Sequence, residues 1–227
     1  MAETRDLWVF AYGSLMWRPG FSFEEVAHAR LVGWSRAFCI YSRYHRGSSR
    51  RPGLVLGLDR GGICEGLAFR VRADAAPETL AYLREREQIV SVYREALVPV
   101  TLMKTGRPEV LALTFLVERM HPSYAGRLPL TEQAHLIRGA TGLSGANIDY
   151  LANTLAHLKE LGIRERTLER LMSLVGAHVG HCGGDGPVRP GALAMMREWH
   201  KRPVRVRRGL RSQDLRRFSY RTVLTAR

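Results

Sequence analysis

An α+β fold, strands first and helices after, is what the 227 residues predict. Runs rich in aromatic and β-branched residues crowd the first half of the chain, and amphipathic helical stripes fill residues 131–175. The regular strand–helix alternation of a doubly wound parallel sheet is missing, and no internal repeat is present. Strands followed by helices argue for segregated layers instead.

In chain order, Leu7–Tyr12 reads as a buried strand and Leu31–Tyr41 ("LVGWSRAFCIY") as a second. Residues 42–53 form a polar loop with turn chemistry. Leu54–Leu58 and Ile63–Val71 bracket "DRGG", a hairpin signal between apolar runs. Pro77–Ile89 is predicted to be a helix, with Leu80, Leu83 and Ile89 on one stripe. Ala96–Leu102 and Val110–Val117 make a strand pair around "KTGRPE". Helices follow at Thr131–Gly139, Asn147–Leu161 and Arg164–Val175, with "TGLSGAN" as a turn between the first two. Five glycines or prolines then fall between Gly180 and Pro187, ahead of an arginine-rich stretch. The expected division is one folded domain over 1–179, then a glycine/proline hinge and a basic extension over 180–227.

Hydrophobic residues at 45% and charged residues at 25% are ordinary for a soluble globular protein. No apolar run approaches the ~18 residues of a membrane-spanning helix. The charged opening, Met1 to Asp6, leads straight into a strand pattern and does not read as a signal peptide. Cys39, Cys64 and Cys182 are odd in number and widely spaced, which fits neither a disulfide framework nor a CxxC metal site. A reducing cytoplasm is the expected compartment, with Cys39 and Cys64 as small core residues. The net charge of +14 is uneven. Residues 188–227 hold twelve Lys or Arg against Glu198 and Asp214, so only +4 belongs to the preceding body. Trp199, Phe218 and Tyr220 lie among those arginines, a composition that can bind single-stranded nucleic acid through phosphates and stacking. A solvated extension is the plainer expectation for the same stretch. Composition leaves the oligomeric state open.

Candidate chemistry is sparse. "FAYGSLMW" interrupts an apolar strand with Gly-Ser, as a turn does, or as a backbone does where it approaches a ligand closely. Glu85 and Glu87 in "LREREQ" are two residues apart and point different ways on a helix, so at most one can face a cleft. Such a lone carboxylate becomes a general base if desolvation raises its pKa. The plainer reading of both is a solvated helix face. His178, His181 and Cys182 lack the fourth ligand that a zinc site needs. His45 and Arg46 fit a substrate-facing loop or a solvated one equally well. Neither GxxxxGK[ST] nor GxGxxG after a strand occurs, and no GxSxG elbow does.

Six segments in order resemble the ChaC-like γ-glutamylcyclotransferases: "WVFAYGSLMW", "LVGWSRAFCIY", "HRGSSRRPGLVLGL", "CEGLAFRV", "YLREREQIVSVYR", and the pair "MHPSY" and "TGLSGANIDYLANTLAHLKELGI". The likeness covers roughly residues 7–176. It implies a small mixed β-barrel with flanking helices. It also implies an intramolecular reaction that closes the γ-glutamyl group of glutathione to 5-oxoproline and expels Cys-Gly, with neither cofactor nor metal. By position in "REREQ", the family's catalytic glutamate falls on Glu87. The family's γ-glutamyl-binding strand end and turn fall on Val9, Phe10, Ala11, Tyr12, Gly13 and Ser14, and Tyr93 is a further candidate for closing over the same group. Ala11 stands where the family often has Gly, and Tyr44 where many members have Asp before "HRG". The runners-up to glutathione cleavage are cyclisation with another γ-glutamyl amine or amino acid as substrate, and polyanion or nucleic-acid binding through the basic tail.

Overall fold

The computed structural model describes residues 5–87 and 92–177. Five strands close into a barrel in the order β1-β3-β2-β4-β5. Strand β1 (Leu7–Ala11) runs antiparallel to β3 (Gly53–Val71), from Leu7↔Val71 to Ala11↔Leu67. Strand β2 (Glu25–Ser42) pairs with β3 along nearly its whole length and touches β4 (Tyr93–Leu102) at Ala29↔Leu102 and Arg30↔Thr101. Strand β5 (Glu109–Val117) is antiparallel to β4 and closes the ring in parallel against β1 and then β3. The barrel is therefore mixed, as the family resemblance implied.

The strand readings hold, with β1 ending one residue earlier than expected, at Ala11, and the others running longer, except at "DRGG". No hairpin forms there. Strand β3 runs continuously from Gly53 to Val71 through Asp59-Arg60-Gly61-Gly62. Gly61 and Gly62 take φ of 93° and 83°, opposite a register shift between Val32 and Trp34 that contains Gly33 at φ 87°. Left-handed glycines bend the ladder as a bulge without reversing the chain.

Four helices are described: α1 (Ala76–Glu87), α2 (Leu130–Arg138), α3 (Asn147–Glu160) and α4 (Arg166–Ala177). The expected turn between α2 and α3 carries a two-strand ladder, β6 (Thr141–Gly142) with β7 (Gly145–Ala146). The expected Ile89, the pair His178 and His181, Cys182 and the whole hinge and basic extension of 180–227 lie outside the described residues.

Alternation along β1 divides the core. Phe10 joins Leu31, Leu58, Val100 and Leu116, a cluster drawn from all five strands that fills the barrel. Val9 and Ala11 face the other way, toward Leu83, Ile137, Leu151, Leu158 and Leu171 of the helices. Each such Leu or Ile removed from water contributes ~1.5–3 kcal/mol, which fixes the helices on the barrel. Cys39 and Cys64 are buried and free, and burial raises their thiol pKa to about 12 and about 11.

One buried charge pins a loop to this frame. Asp59 of β3 is fully buried and accepts hydrogen bonds from Arg119 at 2.7 Å, the Tyr124 hydroxyl at 3.1 Å and Arg127 at 3.4 Å. Tyr124 belongs to the "HPSY" segment, so that motif ties the stretch after β5 across the bulge of β3.

Candidate active site

Strand β1 stops at Ala11, but β5 continues past it, leaving its β1 partners to pair with β3 at Leu58↔Leu116. A pocket opens where β1 leaves the barrel. Phe10, Tyr12, Gly13, Ser14, Leu15, Leu56, Phe115, Tyr93, Tyr150 and Glu87 line it.

The chain crosses this opening as a 3-10 turn, Ser14–Met16, closed by the Met16 N–H donating to the Gly13 carbonyl at 2.9 Å. Such a turn leaves its first N–H groups without an acceptor of its own. Gly13 has φ −132°, outside the left-handed region, and a Cβ placed on it would meet nothing within 4 Å. No neighbouring protein atom therefore requires a glycine there, whereas an incoming ligand would profit from the open space.

Arg36 of β2 holds the turn from below. Its guanidinium is wholly buried, and it donates to the Tyr12 carbonyl at 2.5 Å and the Glu65 carbonyl at 2.6 Å, and pairs with Glu165. Burial raises the Glu165 pKa, and Arg36 offsets part of that rise. Arg86 of α1 holds the turn from the side, donating to Ser14 Oγ at 2.8 Å, to the Arg18 carbonyl at 2.9 Å and to the Tyr82 hydroxyl at 2.9 Å.

The same Arg86 lies beside Glu87, Nε to Oε1 at 3.2 Å. Glu87 ends α1 with its side chain only 19% exposed. Burial raises its pKa, and the Arg86 charge and hydrogen bond only partly offset this. Glu85, two residues earlier, is exposed to solvent, so the opposed directions expected of the pair are realised.

Three tyrosines complete the wall. Desolvation holds the Tyr12 and Tyr93 hydroxyls well above their ordinary pKa, and pushes Tyr150 up to about 12, so all three stay neutral at physiological pH. The Tyr93 hydroxyl donates to the Leu56 carbonyl at 2.8 Å, and the Leu56 N–H is directed at the Tyr150 oxygen. Asn147 does the same for Leu54, accepting from its N–H at 2.6 Å and donating to its carbonyl at 2.7 Å. These side chains satisfy the edge of β3 that no strand covers, which lets a pocket exist beside it.

Of the residues expected from sequence, Phe10, Tyr12, Gly13, Ser14, Tyr93 and Glu87 meet at this pocket. The side chains of Val9 and Ala11 pack in the core between barrel and helices and do not line it. Tyr150, Leu15, Leu56 and Phe115 were not anticipated, nor were the two arginines that fix the turn. Tyr150 carried one usable signal: it falls three residues after Asn147, on the same face of α3.

A family model described as ChaC-like protein matches residues 7–178. The Escherichia coli glutathione-specific gamma-glutamylcyclotransferase is 35% identical over 185 residues, covering 82% of this chain and 79% of that protein. The human glutathione-specific gamma-glutamylcyclotransferase 1 is 32% identical over 179 residues, covering 77% and 79%. A yeast gamma-glutamyl cyclotransferase specific to glutathione has a similar crystal structure, with TM-score 0.69 at 22% identity over 79% of this chain and 99% of that one. With its barrel matched in structure and its sequence matched from the first strand to the last described helix, the chain belongs to the ChaC-like family.

Proposed function

We propose that this protein is a glutathione-specific γ-glutamylcyclotransferase in which Glu87 moves the protons. One observation carries the assignment of Glu87: among the described residues it is the one carboxylate on the wall of the pocket, it is desolvated, and Arg86 is its only charged partner. The names of the relatives support glutathione as the substrate.

The reaction needs little from the protein. The nucleophile, the α-amine of the γ-glutamyl group, is tethered to the carbonyl it attacks, so holding the substrate folded can contribute ~7–11 kcal/mol. That amine binds as an ammonium and must lose a proton first. Glu87 takes it, and the freed nitrogen attacks the γ-carbonyl to form the lactam C–N bond. The carboxyl then gives the proton to the cysteinyl nitrogen as the old amide bond breaks. A second proton follows the same route, leaving 5-oxoproline and Cys-Gly with its amine protonated. Atoms and charge balance without an external reagent.

The turn after β1 takes the binding role. Its N–H groups can receive the α-carboxylate of the γ-glutamyl group, and Ser14, held by Arg86, sits beside them. The neutral hydroxyls of Tyr12, Tyr93 and Tyr150 bound the same space and stay protonated while the carbonyl carbon becomes tetrahedral. Two free cysteines buried in the barrel suit a reducing compartment such as the cytoplasm. No helix among the described residues is long and apolar enough to cross a membrane.

Incubation of the purified protein with glutathione, γ-Glu-Ala and a γ-glutamyl amine tests the proposal. The expected result is 5-oxoproline and Cys-Gly from glutathione and little product from the others. Product from γ-Glu-Ala or the amine alone would transfer the activity to another γ-glutamyl compound, and none from any would remove the reading.

A further inference from the structure

On the cyclotransferase reading the pocket wall serves the γ-glutamyl half of a glutathione molecule, and among the described residues that line it none is a cation for the other half. One candidate, in contact with a residue of the wall, is Arg46 on the loop between β2 and β3. That loop is held on both sides. The Arg46 N–H donates to Ser42 Oγ at 2.9 Å, the carbonyls of Tyr44 and His45 accept from the N–H groups of Leu143 and Ser144 at 2.9 Å each, and His45 Nδ1 lies 3.0 Å from Ser144 Oγ. The backbone that carries Arg46 is therefore fixed against the β6–β7 turn.

The guanidinium of Arg46 lies over the ring of Tyr150, 5.2 Å from its centre. Its other partner among the described residues is the Ala146 carbonyl, at a long 3.4 Å. Burial lowers its pKa, and the exposed Asp149 acts on it only at longer range. A half-buried guanidinium has five donors, and these two contacts use few of them. Tyr150 is the link to the chemistry: it lines the pocket, and both Glu87 and Arg46 act on its hydroxyl. A leaving group of two residues carries its carboxylate ~7 Å beyond the scissile bond. Tyr150 lines the pocket with one part of its ring under Arg46, so a leaving group that runs along this ring is directed toward the guanidinium.

We propose that Arg46 binds the terminal carboxylate of the departing dipeptide, and so selects γ-glutamyl substrates whose leaving group ends in a free carboxylate. The proposal rests on the cyclotransferase reading of the pocket. A guanidinium accepts a carboxylate through two parallel hydrogen bonds, and a charge-assisted contact of this kind discriminates by about tenfold to a hundredfold. Arg46 is a specificity residue and takes no part in proton transfer.

The test compares glutathione with its glycine amide, which differs only in lacking the terminal charge. For the unmodified protein, kcat/KM is expected to be about tenfold to a hundredfold higher on glutathione than on the amide. Arg46→Gln should lower kcat/KM on glutathione to the level of the amide, leave the amide rate nearly unchanged, and act mainly through KM. Arg46→Lys should recover part of the preference. Equal rates on the two substrates with the unmodified protein would overturn the proposal without any variant, and so would an equal fall on both in Arg46→Gln. If the unmodified protein forms no 5-oxoproline from either substrate, the cyclotransferase reading itself fails and the proposal falls with it.

Discussion

Two carboxylates, Asp59 at the bulge of β3 and Glu87 at the end of α1, place one functional group in opposite settings. Both have lost most of their water: Asp59 has no exposed side-chain surface, and Glu87 keeps 19%. Burial alone would raise the pKa of each. Around Asp59 the Arg119 side chain, the Arg60 N–H and the Tyr124 hydroxyl outweigh it and hold the carboxylate below its ordinary range. Around Glu87 only Arg86 opposes burial, and the pKa stays raised. The number of donors decides the difference. A satisfied carboxylate is a fixed charge that fastens a loop, while an under-satisfied one is ready to take up and release a proton.

Exchanging the side chains should separate the two roles. The largest effect is expected from Glu87→Gln, which keeps the shape and removes the proton acceptor. Formation of 5-oxoproline should fall ~10²–10⁴-fold, the usual worth of general acid–base catalysis, with circular dichroism unchanged. Next comes Asp59→Ala, which leaves Arg119 without its carboxylate. Denaturant titration should show a loss of ~1.5–3 kcal/mol, the range for hydrogen bonds to a charged group, since Arg119 and Arg127 are themselves open to solvent and return to water. Below its melting temperature that variant should still make 5-oxoproline.

The smallest effect concerns stability at the active site, and its sign follows from the raised pKa of Glu87. Ionisation of this group is harder in the folded than in the unfolded state. Its charge therefore costs stability once pH rises above the unfolded carboxylate pKa, and the full cost is reached above the folded one. Glu87→Gln should melt slightly higher than the unmodified protein at neutral pH, with the gap closing in acid. For Asp59 the window is reversed: its stabilisation is present above the unfolded pKa and disappears as pH falls through the folded one. A lower melting temperature for Glu87→Gln at neutral pH would show that Glu87 is a structural anchor like Asp59.

The sequence was readable wherever local pattern and structure coincide. Alternation and helical stripes located all the larger elements, because each buries one face. "DRGG" misled because a tight hairpin and a glycine bulge ask for the same residues, and only the partner strand tells them apart. Closure of the barrel was not legible from pattern. It depends on β5 changing partners from β1 to β3, a long-range event with no local mark. The spacing of Glu85 and Glu87 showed only that their directions differ, and it was the resemblance to the ChaC-like family that singled out Glu87. That it is the buried member shows only when α1 is docked beside the turn after β1. Arg36 read as an ordinary strand residue, since nothing nearby in sequence announces the Tyr12 and Glu65 carbonyls or Glu165 as its partners.

The assignment of Glu87 as the proton carrier, with burial opposed by Arg86 alone, is tested most directly by the pH dependence of kcat/KM for 5-oxoproline release in the unmodified protein and in Arg86→Gln. The acid limb of the unmodified protein should lie above the ordinary carboxylate range, because the base must be ionised and burial raises its pKa. Removing the Arg86 charge should move that limb further toward alkaline pH, whatever happens to the overall rate. An acid limb at the ordinary glutamate value, or one that does not move in Arg86→Gln, would contradict the assignment.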